Sequence, residues 1–258
     1  MHEGKTYIVT GAASGIGAET CRVLRASGAQ VIGVDRNPAT DVDQMFQVDL
    51  ADKISVAELI AALPDGANGL ANIAGVPPTA PAEAVLGVNL IGLRALTEGL
   101  VEKLADGASI VNLASLAGNG WPTGLAQVKR ALALDFDSDL AAFCQAEELE
   151  NTGRSYFLSK EALLIWTFQN RWTWRDRGIR MNAVSPGPVD TPILDDFAAT
   201  LGTRFEQNMQ MLERAGTAED IAPVVSFLLS DQTHWIRGAN LAVDGGMSAH
   251  FLAEMHDF

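Results

Sequence analysis

Tyr156 and Lys160 stand four positions apart in "YFLSK" (156–160), near the start of what the flanking pattern reads as a helix. Side chains at that spacing share one helix face. A phenol titrates near pH 10 when unperturbed, so it is a poor base at neutral pH, and an ammonium held beside it favours the phenolate. A fall of about 2–3 in pKa corresponds to about 3–4 kcal/mol of differential stabilisation. The tyrosine then becomes a general acid/base suited to a carbonyl/alcohol pair. Alone, such a pair is also ordinary surface packing, so the chemistry must be argued together with other segments.

The second segment is "TGAASGIG" (10–17), which follows the first strand pattern and opens the first helix pattern. Gly11, Gly15 and Gly17 permit a tight turn and close approach of backbone to a pyrophosphate. The helix N-terminus behind them offers unpaired N–H groups and the positive end of a dipole. A glycine run by itself marks only a turn; its place between strand and helix is what points to a dinucleotide. Asp35 ends the next strand in "VIGVDRN", 18 residues after Gly17. A carboxylate there accepts hydrogen bonds from the adenosine ribose and repels a 2′-phosphate, which selects NAD over NADP. Arg36 argues the other way, since a guanidinium can pair with that phosphate. NAD is the expected cofactor.

These residues need a frame to position them. Short apolar runs at 6–10, 30–35, 45–50, 69–75, 109–115, 179–185 and 240–246 alternate with helical patterns at about 16–27, 52–63, 87–105, 156–176 and 217–230. Near-continuous apolar strands are those covered on both faces, and strand–helix alternation makes a parallel sheet. Thr217 with Asp220 resembles a capping box. The 258 residues, 48% hydrophobic and 19% charged, suit one domain with a full core. A net charge of −14 argues against nucleic-acid binding and against anionic membranes. No stretch is read as a membrane span. Cys21 and Cys144 make no disulfide framework, and the four histidines lack metal-ligand spacing. No metal is expected. The strand pattern begins almost at once, so no signal peptide and a cytoplasmic location are expected.

In combination these segments resemble the short-chain dehydrogenase/reductase family. The resemblance runs through "TGAASGIG", "VDL" (48–50), "NIAG" (72–75), "VNLIG" (88–92), "NLAS" (112–115), "YFLSK", "SPGPVDT" (185–191) and "VDGG" (243–246), in the family's order. It implies an α/β fold: a single-domain Rossmann fold over 1–258 with a doubly wound, seven-stranded parallel sheet flanked by helices. It implies a catalytic tetrad of Asn89, Ser115, Tyr156 and Lys160. Ser115 would bond the substrate oxygen and Tyr156 would pass it a proton. Lys160 would hold the nicotinamide ribose and depress the tyrosine pKa, while Asn89 would fix a helix kink and a water leading to solvent. Cofactor contacts would come from Gly11, Ser14, Gly15, Ile16, Gly17, Asp35 and Arg36. Asp49 and Leu50 would lie at the adenine, Asn72, Ala74 and Gly75 at the adenosine ribose, and Pro186, Gly187, Val189 and Thr191 at the nicotinamide. "NIAG" departs from the commoner form with two asparagines, because Ile73 holds the second position.

The spacing narrows the resemblance. Forty-one residues separate Ser115 from Tyr156, where the family usually has about a dozen. With the short connection from Asp35 to Asp49, this is similar to a bacterial subgroup containing 3α-hydroxysteroid dehydrogenase/carbonyl reductase and coniferyl-alcohol dehydrogenase. The substrate, a small-molecule alcohol or carbonyl, would meet an apolar pocket of Leu116, Trp121, Ile193, Leu194 and Phe197. Trp121 reads equally as a packing anchor. Trp166, Trp172 and Trp174 read as core or interface residues on the tyrosine helix. Two rival readings stay open: a nicotinamide-sensing regulator without turnover, and an NADP-dependent carbonyl reductase of unrelated substrate.

The excess residues form a helical insertion at about 118–153. Phe136, Leu140 and Phe143 follow i, i+4, i+7 spacing, opposite the carboxylates Asp135, Asp137, Asp139, Glu147 and Glu148. Those carboxylates read as a solvated face. The apolar stripe is expected to cover or rebuild the surface through which a homodimer or other homo-oligomer associates.

Overall fold

The computed structural model describes residues 1–257. Among them the apolar runs form β1 (Thr6–Thr10), β2 (Gln30–Asp35), β3 (Gln44–Gln47), β4 (Ala67–Asn72), β5 (Leu104–Leu113), β6 (Arg180–Pro186) and β7 (Asn240–Val243). All pair in parallel, in the order β3-β2-β1-β4-β5-β6-β7. Successive strand residues point to opposite faces, and here both faces are apolar. Ile8, Ile32, Leu70 and Ile110 enter one core, while their neighbours Val9, Val31, Ala71 and Val111 enter the other.

Helices α1 (Gly15–Ala26), α2 (Lys53–Ala62), α3 (Ala82–Leu86) and α4 (Leu93–Leu100) lie among the first five strands. Then come α5 (Leu125–Leu132), α6 (Leu140–Ala146), α7 (Arg154–Gln169), α8 (Leu194–Leu201), α9 (Thr203–Met211), α10 (Ala218–Leu229) and α11 (Met247–Met255). The first core takes Leu59 of α2, Leu96 of α4 and Leu163 of α7; the second takes Leu24 of α1 and Val225 of α10. The doubly wound fold expected from the sequence is therefore present. The strand order reverses between β1 and β4, which opens a crevice at the carboxyl ends of these strands. The capping box forms as well: Thr217 N–H donates to Asp220 Oδ2 at 2.7 Å.

Several local expectations are corrected. The run Ala82–Lys103 is long and apolar enough by composition to cross a membrane, contrary to the sequence reading. It serves instead as core: Leu86, Leu90, Leu93, Leu96 and Leu100 are buried by protein, and a π-helical turn at Gly87–Gly92 interrupts it. The tyrosine helix ends at Gln169, so Trp172 and Trp174 lie beyond it. Trp172 is exposed beneath the Arg171 guanidinium, while Trp174 packs on the first core.

The insertion is two short helices, α5 and α6, and not one amphipathic helix. Asp135 and Ser138 close a turn between them, with Ser138 Oγ donating to Asp135 Oδ1 at 2.9 Å. Phe136 lies in that turn, outside either helix, yet it packs with Leu140 and Phe143 as the stripe required. The cluster they join contains Leu86, Leu90, Leu158 and Ala162, so the insertion covers the α3–α7 face of its own chain. Its carboxylates Asp135, Asp137, Asp139 and Glu148 are exposed, the solvated face expected, and several of the five also have local partners. Asp139 caps α6, accepting from Ala142 N–H at 3.0 Å, and Glu147 pairs with Arg130.

His2 pins the N-terminal segment. Its ring is fully buried, with Nδ1 2.8 Å from Tyr7 Oη and Nε2 2.9 Å from Ser226 Oγ. Burial pushes the imidazole pKa below 6.5, helped by the N-terminal ammonium and Lys5. The unfolded chain therefore binds a proton that the folded chain refuses. This contribution to stability is present above about pH 6.5 and is lost as the pH falls below it. Thermal melts between about pH 8 and about pH 5 should show a steeper acid decline for wild type than for His2→Gln; parallel curves would contradict the assignment.

Candidate active site

The four residues expected as the tetrad come from three elements that meet at the carboxyl ends of β4 and β5. Ser115 follows β5 in extended backbone and heads a 3-10 turn, Leu116–Gly120, its Oγ accepting from Ala117 N–H at 3.1 Å. Tyr156 and Lys160 occupy the first two turns of α7, both buried, and Lys160 Nζ donates to the Leu113 carbonyl at 2.8 Å. Asn89 sits in the π-helical turn. Its Oδ1 accepts from Val76 N–H at 2.8 Å and its Nδ2 donates to the Val76 carbonyl at 3.1 Å, holding the loop after β4. At Gly75 an added Cβ would stand 3.3 Å from Asn89 Oδ1 and 3.9 Å from Lys160 Nζ, so the three residues adjoin.

Burial decides the charges here. It pushes the Tyr156 phenol upward, and a hydrogen bond with Ser115 opposes this only in part. The Lys160 ammonium is pushed down to about 8 by the same desolvation. Its Nζ lies 5.6 Å from the Tyr156 ring centre. The expectation that Lys160 depresses the tyrosine pKa is therefore not met in this arrangement. The loss of water around each charged form sets both shifts, and neither residue contributes to the other's.

The glycine segment forms a cradle. Gly11 has φ +74°, and a Cβ there would come within 2.8 Å of Ala74 N; a Cβ on Gly17 would strike the Gly11 carbonyl oxygen at 1.9 Å. Helix α1 can thus start directly against β1 only with these residues. Its N-cap, Ser14, makes no side-chain cap bond, and first-turn N–H groups, including those of Gly15, Ile16 and Gly17, have no intrahelical acceptor. Such a terminus suits an anion. Asp35 Oδ2 accepts from Ala13 N–H at 3.1 Å and Oδ1 from Asn37 N–H at 2.9 Å, fixing the carboxylate beside the cradle. Arg36 is exposed, Leu50 is buried, and Asp49 Oδ1 accepts from Ala51 N–H at 2.9 Å. This donor set fits a dinucleotide. Asn72 differs from expectation: its side chain turns into the core, Nδ2 donating to Thr97 Oγ1 and Asn112 Oδ1 at 2.9 Å each. Its Oδ1 is buried without a hydrogen-bond partner among the described residues.

A cavity of about 1080 Å³ opens from Ser115, Tyr156 and Lys160. Gly75, Pro186, Gly187, Val189 and Thr191 line it on the cradle side, and Leu116, Ile193, Leu194 and Phe197 line its apolar side. Phe197 meets the Tyr156 ring edge-on, with ring centres 5.0 Å apart. Trp121 is a correction: it does not line the cavity but packs edge-on with Phe168 at 6.4 Å, as an anchor for the insertion. The sequence reading missed Phe157, Leu201, Phe205, Met247, Phe251 and Met255, which complete the wall. The i, i+4, i+8 spacing of Met247, Phe251 and Met255 was a legible sign of a helix laid over the site.

Tyr7 and Tyr156 are the chain's two tyrosines, and burial raises both phenols above 10. A spectrophotometric titration should show no tyrosinate until well above about pH 10. A full phenolate step at or below that pH would overturn the account of their desolvation.

The chain is similar to known proteins along nearly its whole length. Residues 5–126 match the family model described as short chain dehydrogenase, and residues 140–248 match the one described as enoyl-(acyl carrier protein) reductase. Coniferyl-alcohol dehydrogenase of Pseudomonas sp. (strain HR199 / DSM 7063) is 40% identical over 253 residues, covering 96% of this chain and 98% of that protein. The 3-alpha-hydroxysteroid dehydrogenase/carbonyl reductase of Comamonas testosteroni is 29% identical, over 94% of this chain and 96% of that one. Among solved structures, the 3-alpha-hydroxysteroid dehydrogenase from Pseudomonas sp. B-0831, complexed with NADH, superposes with a TM-score of 0.83. It is 32% identical, over 97% of this chain and 99% of that one. With the tetrad, the glycine cradle and likeness along nearly its whole length, this chain belongs to the short-chain dehydrogenase family and to the oxidoreductases within it.

Proposed function

We propose that the protein is an NAD-dependent dehydrogenase that interconverts a secondary or an aromatic/allylic alcohol, of 3α-hydroxysteroid or coniferyl-alcohol type, and its carbonyl. The observation that carries this reading is the meeting of Ser115, Tyr156 and Lys160 at one end of a large apolar cavity. A bound nicotinamide supplies or accepts the hydride. Ser115 Oγ holds the substrate oxygen, and Tyr156 Oη moves the proton to or from it. Lys160, anchored on the Leu113 carbonyl, places a cation beside the oxygen where charge develops. The apolar wall of Leu116, Ile193, Leu194 and Phe197 excludes water and suits ring systems. Asp35 supports NAD over NADP, since its carboxylate stands beside the cradle and would repel a 2′-phosphate. The chain is expected to act in the cytoplasm and to form a homodimer or another homo-oligomer. Because the insertion lies on the α3–α7 face of its own chain, the subunits would meet elsewhere.

Initial rates with NAD and NADP against coniferyl alcohol, a 3α-hydroxysteroid and simple secondary alcohols test the substrate reading. Turnover is expected with the first two and with NAD. Cofactor binding without turnover would favour the sensor reading instead. Tyr156→Phe should lower kcat by about 10²–10⁴ and leave NADH binding measurable by fluorescence. Because burial raises the phenol, alcohol oxidation should climb with pH as the small phenolate fraction grows, while carbonyl reduction by the neutral phenol should stay level. Oxidation that falls as the pH rises would remove Tyr156 from the proton route. Asp35→Ser should raise kcat/KM for NADP relative to NAD, and an unchanged ratio would take the carboxylate out of cofactor choice.

A further inference from the structure

Glu161 is a carboxylate with a side chain only 3% exposed, next in sequence to Lys160, and the tetrad does not use it. Its partner is Arg154, the first residue of α7. Arg154 Nη1 donates to Glu161 Oε1 at 2.8 Å and Nη2 donates to Oε2 at 2.6 Å, a two-pronged pair along one helix face. Helix energetics do not call for this placement, since a cation in the first turn opposes the helix dipole. Two further contacts say what the pair is for. The turn after Ser115 lies directly on it: a Cβ at Gly120 would stand 2.8 Å from Glu161 Oε1. One at Gly124 would stand 2.9 Å from Arg154 Nη2 and 3.3 Å from Glu161 Oε2. The insertion's first helix is tied to it as well, because Arg154 Nε donates to Gln127 Oε1 at 2.9 Å.

We propose that the Arg154–Glu161 pair is a positioning element for catalysis: it seats the Ser115 turn and the root of the insertion on the helix that carries Tyr156 and Lys160. The segment from Ser115 to Gly124 is a 3-10 turn followed by further turns, closed by bonds within itself such as Gly118 N–H to the Ser115 carbonyl at 2.9 Å. A forked pair with a buried carboxylate seats these turns on α7. Glu161 and Gly120 also line the cavity, so the same contact shapes the wall beside the serine. The insertion thus contributes to the reaction through another residue's position and touches no reacting atom itself.

Turnover as a readout rests on the dehydrogenase reading, so hydrogen exchange of cofactor-free protein is measured alongside it. Glu161→Gln keeps the size and loses the charge. It should speed exchange across 116–124 but not in β1, leave NADH affinity unchanged, and lower kcat for coniferyl alcohol by about tenfold to a hundredfold. Arg154→Met/Glu161→Met replaces the pair by apolar volume, which often restores stability. Its melting temperature should return toward wild type while kcat stays low. Wild-type exchange across 116–124 in Glu161→Gln, or recovery of kcat together with melting temperature in the double variant, would overturn the proposal. A wild-type protein inactive on every alcohol would sink the dehydrogenase reading alone, and the exchange result would still decide this one.

Discussion

The site depends first on the seam between α7 and β5. Two side-chain bonds, seven residues apart on the helix, set its register: Lys160 Nζ to the Leu113 carbonyl at 2.8 Å and Asn112 Nδ2 to Thr167 Oγ1 at 2.9 Å. Leu163 and Trp166 fill the space beside these bonds with apolar volume. Asn72 extends the chain of bonds to β4 and α4 through Asn112 and Thr97. Polar bonds in such dry surroundings are costly to break, so strand and helix cannot slide past one another. Ser115 is the continuation of that strand and Tyr156 the start of that helix, and their meeting follows from this register.

The same dryness sets the chemistry. Water around Tyr156 and Lys160 has been replaced by Phe197, Phe157 and backbone, which disfavours phenolate and ammonium alike. In the proposed reaction, the neutral phenol bonded to Ser115 would give its proton to a carbonyl oxygen. A lysine pushed down to about 8 is a cation whose charge can respond to what lies beside it. The two groups are therefore poised by solvent exclusion more than by each other, a distinction that i, i+4 spacing cannot reveal.

The insertion, which breaks the strand–helix rhythm in sequence, does not separate the serine from the tyrosine in space. It leaves the site at Gly124 and returns at Gly153, and Gly124 lies against Arg154 in the first turn of α7. Its two helices then spend their apolar residues on Leu86, Leu90, Leu158 and Ala162. A connection of this length can be accommodated because both of its ends are anchored on one helix.

The sheet and its helices were legible in the sequence because they rest on local periodicity, while the four residues expected as a tetrad came from the family resemblance that their motifs carry. Alternation of Ile8 with Val9, or Ile110 with Val111, is a property of neighbours, and so are the glycines at 11 and 17 that let α1 meet β1. What the sequence left undetermined is what depends on distant residues. It could not show that Asn72 turns inward to Thr97 and Asn112, that Trp121 seeks Phe168, or that the expected single helix of the insertion splits at Asp135–Ser138. Nor could it show that α11 closes the cavity, or that desolvation sets the shifts of Tyr156 and Lys160. Those outcomes turn on which groups lose water and to whom, and only the packing of the whole chain decides that.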